Sequence, residues 1–216
     1  MLVDWAQISE ALWETIIMVT FSLLFAVVIG LPLGILLVVT RKGHLWENKY
    51  VFTVLNSVVN IFRSIPFIIL MVAVIPFTRL VVGTSIGTAA AIVPMVLFSG
   101  PYIARLIENS LLEVDPGVME AAQAMGATPR QIITRFLIPE ALSSLMLGIT
   151  IATIGLIGAS AMAGAVGGGG LGDLAITFGY QRFDTMVMLI TVGILVIMVQ
   201  GLQSTGNILS KKIRRR

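Results

Sequence analysis

The chain has 216 residues, 57% of them hydrophobic and only 12% charged, with a mean hydropathy of +1.00. A soluble domain carries roughly a quarter charged residues, so composition excludes a water-soluble core of this size and indicates an integral membrane protein. The net charge of +3 does not point to nucleic acid, and the absence of cysteine excludes disulfides and thiolate metal sites.

The N-terminus, MLVDWAQISEALWE, is acidic and lacks a basic n-region, so it does not read as a cleaved secretory signal. Continuous apolar runs follow, each about 20 residues long, which predicts membrane helices rather than an alternating barrel. The first span is predicted at residues 15–39 and ends at Arg41-Lys42-Gly43-His44. Within it Gly30, Pro32 and Gly34 fit a close helix contact with a kink, and ordinary span composition fits them equally. The second span is predicted at 58–77, because the apolar run from Ile65 to Phe77 is too short to cross alone. That assignment puts Arg63 at one membrane face, snorkelling to the interface, with a buried functional charge as the other reading. Pro66 is expected to break regular helix.

The third span is predicted at 85–103, with Pro94 and Pro101 inside it. A long polar segment occupies 105–140. The fourth span, 142–166, is rich in small residues, and the fifth covers 185–204. The whole chain, 1–216, reads as one transmembrane domain without internal repeats. Odd span number separates the termini. Arg41, Lys42, Lys49, Arg105, Arg130, Arg135 and the tail Lys211 to Arg216 fall on one side, and only Arg79 and Arg182 on the other. The positive-inside rule then predicts the N-terminus outside, the C-terminus in the cytoplasm, and a cytoplasmic polar segment. The basic tail needs no partner beyond anionic lipid.

Inside that segment Asp115-Pro116 is a helix start, with Asp as N-cap and Pro at the first helical position. Gly126 is a natural left-handed stop. Thr128-Pro129 repeats the start signal, and the second helix, carrying Ile132, Ile133, Phe136 and Leu137, is expected to stop before Pro139. The result is a cytoplasmic helix-turn-helix. Its first helix is too short to stand alone, so its own membrane domain or a partner's groove must hold it.

Glu120-Ala121-Ala122, three residues, Gly126, nine residues, then Phe136, Ile138 and Pro139 make up the motif by which the chain resembles permease subunits of ATP-binding-cassette importers. The family pattern has Ile and Leu where Phe136 and Ile138 stand, and both replacements stay apolar. Asn60 to Leu70, Ile75 to Gly87 and Gly167 to Phe183 look in particular like the methionine-uptake permeases. The resemblance implies a type I importer permease fold: five transmembrane helices, working as a homodimer in the bacterial inner membrane. It implies an ATPase dimer in the cytoplasm and a substrate-binding lipoprotein outside. This chain is then no enzyme and holds no cofactor of its own, with ATP and Mg on the ATPase. By carry-over, Glu120, Ala121, Ala122, Gly126, Ala127 and Arg130 lie in the element that couples to the ATPase. The implied solute is methionine or a close amino-acid relative, moved by alternating access.

Rival motifs are weaker. Gly167, Gly169 and Gly172 spell GxGxxG but end a membrane span instead of opening a helix after a strand. Gly170 to Asp173 spells the GxGD of intramembrane aspartyl proteases, yet no span contains an aspartate to pair with Asp173. Gly158-Ala159-Ser160-Ala161 resembles a serine hydrolase motif, but His44, the one histidine, lies in a loop about a bilayer away. There is no Walker A pattern. Small residues from Gly155 to Gly164 allow close approach of two copies, so Ser160 and Met162 are expected to line the pathway, with Met162 closing it; plain helix packing is the alternative.

Overall fold

The computed structural model describes residues 2–214, and all regular elements among them are helical. Of the predicted basic tail, Arg215 and Arg216 lie outside the described residues. Helix α1 (Trp5–Val39) begins well before residue 15 because a capping box starts it. The Asp4 carboxylate accepts from the Gln7 backbone N–H, and the Gln7 side chain accepts from the Asp4 N–H. Helix α2 (Lys49–Ser64) is capped by Asn48, whose side chain accepts from Tyr50 and Val51 at 3.1 Å.

The second span departs from its predicted 58–77. The chain bends by 101° between α2 and α3 (Phe67–Ala73), and α4 (Ile75–Val82) follows, closed by Gly83 at φ 83°. Pro66 causes the break: it supplies no N–H and forces Ile65 into an extended conformation. The span is therefore a broken pair. Because α2 starts at Lys49, Arg63 is not at a membrane face but about 21 Å along the helix.

Helix α5 (Thr88–Leu112) runs through Pro94 and Pro101 and continues past residue 103, so Arg105 belongs to this helix and not to a loop. Helix α6 (Pro116–Ala124) is followed by the single turn α7 (Pro129–Gln131), a π-helical segment (Ile132–Leu137) and α8 (Ile138–Gly164). The expected stop before Pro139 does not occur. Residues from Pro129 to Gly164 form one rod of 36 residues. Proline is tolerated in the first turn of a helix, and the wider π turn ahead of Pro139 carries the chain through, with the Ile138 N–H reaching back to the Ile133 carbonyl. A short helix α9 (Gly170–Leu174), a π stretch and α10 (Thr185–Arg214) complete the chain. Among the described residues four helices are long and apolar enough to span a bilayer, and α2 with α3, counted as one span, gives a fifth. Their ends carry exposed aromatics, Trp5 and Trp13 at one end and Trp46 and Tyr50 at the other, as interfacial belts require.

Helices α1 and α5 pack closest. A Cβ on Gly30 would stand 2.8 Å from the Gly100 carbonyl oxygen and from Ile103 Cγ2, and one on Gly34 2.7 Å from the Ala104 oxygen and Ile107 Cγ2. The glycine pair is thus a contact surface. Several buried hydroxyls bond back within their own helices, as Thr191 does to the Val187 carbonyl, whereas Ser210 meets Ser143 across α8 and α10 at 2.8 Å.

One ionic cluster is buried beside this seam. Glu108 is 1% exposed; Arg105 Nη1 lies 2.5 Å from its Oε2, and Arg41 Nη1 3.6 Å from its Oε1. Arg105 Nη2 donates to Asn56 at 2.7 Å and Asn60 at 2.8 Å, tying α2 to α5. Here a charge pair is worth keeping because removing one partner strands the other.

Three outcomes follow. Gly34→Leu forces α1 and α5 apart and costs about 1–3 kcal/mol, read as a lower unfolding temperature in detergent. Gly201→Ala, at a position with nothing within 4 Å, leaves stability equal or higher. Glu108→Ala strands the Arg105 charge and costs about 3–5 kcal/mol by the same assay.

Candidate functional site

The site is built at the end of the bundle that carries Arg41, Lys42 and Lys49, called here the basic end. Asp115 starts α6 by accepting from the Gly117 N–H at 2.7 Å, with Pro116 at the first position. The helix ends where Gly126 takes φ 78°, a left-handed conformation glycine adopts without penalty. The Gly126 N–H bonds the Gln123 carbonyl at 2.9 Å and the Ala127 N–H that of Ala122 at 3.1 Å, so the last turn is closed. Thr128 then opens the next helix with a capping box to Gln131.

The predicted coupling residues do not all face one way. Glu120, Ala121, Gly126 and Arg130 are exposed, and Ala127 is half-buried. Ala122 is fully buried and turned toward the protein's own π segment, against which α6 packs. The two alanines of the motif therefore divide: Ala121 is presented and Ala122 anchors. Met125, 70% exposed at the end of α6, was not among the predicted residues. Its signal was its place just before the left-handed glycine, where a side chain projects from the helix end. Beside α6 lies a groove of about 380 Å³ lined by Glu120, Gln123, Met119, Pro116, Gly43 and His44. Burial, and secondly the Arg41 guanidinium, holds the His44 imidazole below its ordinary range, so it is neutral at physiological pH.

Helix α8 carries the predicted gate residues on different faces. Met162 is 44% exposed. It ends a stripe of Leu147, Ile151, Gly155, Gly158 and Met162, all exposed and spaced as one helix face. No atom lies within 4 Å of a Cβ built on Gly155 or Gly158. Ser160 is 2% exposed and its hydroxyl donates to the Ile157 carbonyl at 2.8 Å, so it does not share a surface with Met162. Ser160 faces the interior because two residues turn a helix about 200°.

The glycine run at the opposite end is a tight loop. Gly167, Gly169 and Gly170 have φ of 83°, 79° and 78°. The Glu14 carboxylate accepts from the Gly170 N–H at 2.7 Å, and Thr15 from the Leu171 N–H at 2.9 Å. A side chain of the chain itself thus takes the donors a phosphate would need.

Comparison with known proteins agrees with this geometry. A permease named probable D-methionine transport system permease protein MetI from Vibrio cholerae is 50% identical over 206 residues, covering 95% of this chain and 92% of the relative. The similarly named Pasteurella multocida protein is 49% identical over 98% of both. Among solved structures, a chain of the MetNI methionine ABC transporter, described as inward facing, superposes with a TM-score of 0.92 at 50% identity, covering 93% of each chain. A chain of an amino acid ABC transporter crystallised with histidines shares the fold alone, with a TM-score of 0.79 at 19% identity. This is the type I importer permease fold that the broken second span and the exposed α6 already outline. Residues 27–215 match the family model described as the binding-protein-dependent transport system inner membrane component, and the chain belongs to that family.

Proposed function

We propose that this chain is the membrane-spanning subunit of an ATP-driven importer for methionine, in D or L form, or a closely related amino acid. The observation that carries the reading is the exposed α6 with its glycine-closed end, presented at the basic end of a chain about half identical to the MetNI permease chain. The basic residues of that end orient it to the cytoplasm, with the N-terminus outside. Two copies form the pathway, each docked on a separate ATPase subunit that performs the hydrolysis, and a substrate-binding lipoprotein delivers solute outside.

Glu120, Ala121, Met125, Gly126 and Arg130 form the face offered to the ATPase, and Ala122 and Ala127 hold that face on the membrane domain. ATPase closure displaces α6. Because α6 packs on the π segment, and that segment runs without a break into α8, displacement reaches the Met162 stripe through one rod. Met162 closes the pathway as an exposed, flexible side chain on a face lined by glycine.

Cells lacking their own methionine uptake take up labelled methionine when given this chain with its ATPase and binding protein, and fail without it. Gly126→Val, which forces a β-branched residue to φ 78°, lowers uptake at least tenfold while the chain remains in the membrane. An ATPase that does not co-purify, together with uptake intact in Gly126→Val, sinks the reading. Met162→Ala raises ATP hydrolysis without solute at least twofold and uncouples uptake. Unchanged values for both remove Met162 from the gate.

A further inference from the structure

Arg63 stands where an arginine is hardest to explain. Two contacts fix its depth. Four residues before it, Val59 is buried in one cluster with Ala104, and four residues after it, Phe67 packs edge-on against Phe98 with ring centroids 5.2 Å apart. Arg63 is therefore level with the stretch between Phe98 and Ala104. Helix α5 runs from Thr88 to Leu112, so this is its middle. The side chain is exposed on the protomer and has no ion pair or hydrogen bond among the described residues. A charged side chain at that depth faces protein or a water-filled cavity and not lipid.

The rest of α2 says which. Thr53, Asn56, Asn60 and Arg63 recur at helical spacing along one side of the helix. A separate exposed side, with Val54, Val58 and Ile61, is apolar and suits lipid. The polar side starts near Lys49 and ends at the elbow, and α3 beyond it is wholly apolar. This side gives water a polar route to Arg63 from the basic end, and none beyond it.

A carboxylate from a second copy does not meet the need. Asp4, Glu10, Glu14, Asp173 and Asp184 lie at the opposite end of the bundle. Glu47, Glu113, Asp115, Glu120 and Glu140 lie at the basic end, Glu120 in the short α6 and the others in loops, at helix caps or in a first helical turn. The remaining acid, Glu108, is buried and already held by Arg105 and Arg41. No acidic residue of this sequence is left at the level of Arg63.

We infer that Arg63, at the apex of an aqueous vestibule ending in the α2–α3 elbow, receives the carboxylate of the amino acid in transit. This rests on the importer reading and names the group by which the membrane subunit holds its solute. Guanidinium and carboxylate match as a two-point, charge-assisted pair. The neighbouring Arg105, spent on Glu108 and two asparagines, is held away from the solute.

The test uses the native lack of cysteine. The full complex of this chain, its ATPase and its binding protein is reconstituted in vesicles carrying Arg63→Cys, with the parent complex as control for thiols on the partners. The substitution lowers initial labelled-methionine uptake at least tenfold and leaves ATP hydrolysis without binding protein within twofold. Water-soluble methanethiosulfonates label the new thiol. The aminoethyl adduct, which restores a cation, recovers at least a third of uptake, whereas the sulfonatoethyl adduct recovers none. Uptake unchanged in Arg63→Cys, a thiol that does not label, or equal recovery by both adducts overturns the proposal. Should Arg63→Cys not assemble, Arg63→Lys decides: a KM for methionine raised at least threefold with the maximal rate within twofold supports it, and any other result overturns it. A parent complex that takes up no methionine sinks the importer reading instead, and labelling of the thiol still decides whether position 63 faces water.

Discussion

The contact on which the rest of the structure depends is the glycine seam between α1 and α5. Without hydrophobic driving force between helices in lipid, association rests on close packing and on polar groups that find partners. Gly30 and Gly34 let backbone approach backbone, at distances where a methyl group would meet a carbonyl oxygen at 2.8 and 2.7 Å. That approach sets the depth of everything attached to α5. It buries Glu108 against the end of α1, and Glu108 then holds Arg105 so that its second nitrogen reaches α2. The broken second span hangs on the seam through these polar bonds at one end and through Phe67 on Phe98 at the other.

The second organising feature is the absence of a joint between the coupling region and the pathway. A helix that stopped before Pro139 would leave a flexible hinge between ATPase and membrane. The π segment removes it: Ile132, Ile133 and Leu137 are buried, and Leu137 shares a core with Ala141, Leu145 and Ile107. Motion at α6 therefore moves a packed rod about 54 Å long. Helix α6 itself is nine residues held on by Ala122 and by its caps. A short helix carried by few buried side chains shifts readily as a body, which suits a transmitter.

Much of this was legible in the sequence, for stated reasons. The spans follow from apolar length, and the α6 boundaries from Asp115-Pro116 and Gly126, because caps are local chemistry and act within a few residues. The elbow was half legible. Pro66 announced a break, but apolar counting began the span too late, since α2 is amphipathic and its polar side suppresses the signal. Arg63 was misplaced for the same reason. The continuous rod was not legible, because proline stops a helix in its interior and starts one in its first turn, and only the π segment shows which applies at Pro139. The split of Ala121 from Ala122, and of Met162 from Ser160, depends on helix phase against the rest of the fold, and adjacency in sequence hides it.

The chain carries two arginines on facing helices in one half of the membrane, and they show how a bilayer sorts charge by whether it is paired. Arg105 is surrounded by groups of the protein, so its cost is met when the chain folds and its geometry is fixed thereafter. Arg63 has no such groups among the described residues, and its cost is met by water that must be admitted to the interior. Admitting water to the midplane requires a cavity, and a cavity open from one end and closed at an apolar elbow is half of an alternating pathway. The same sequence that seals α1 to α5 with glycine leaves α2 loosely covered, with Val59 its one buried residue. A tightly packed pair gives the subunit its shape, and the sparsely packed helix beside it gives the solute a wall.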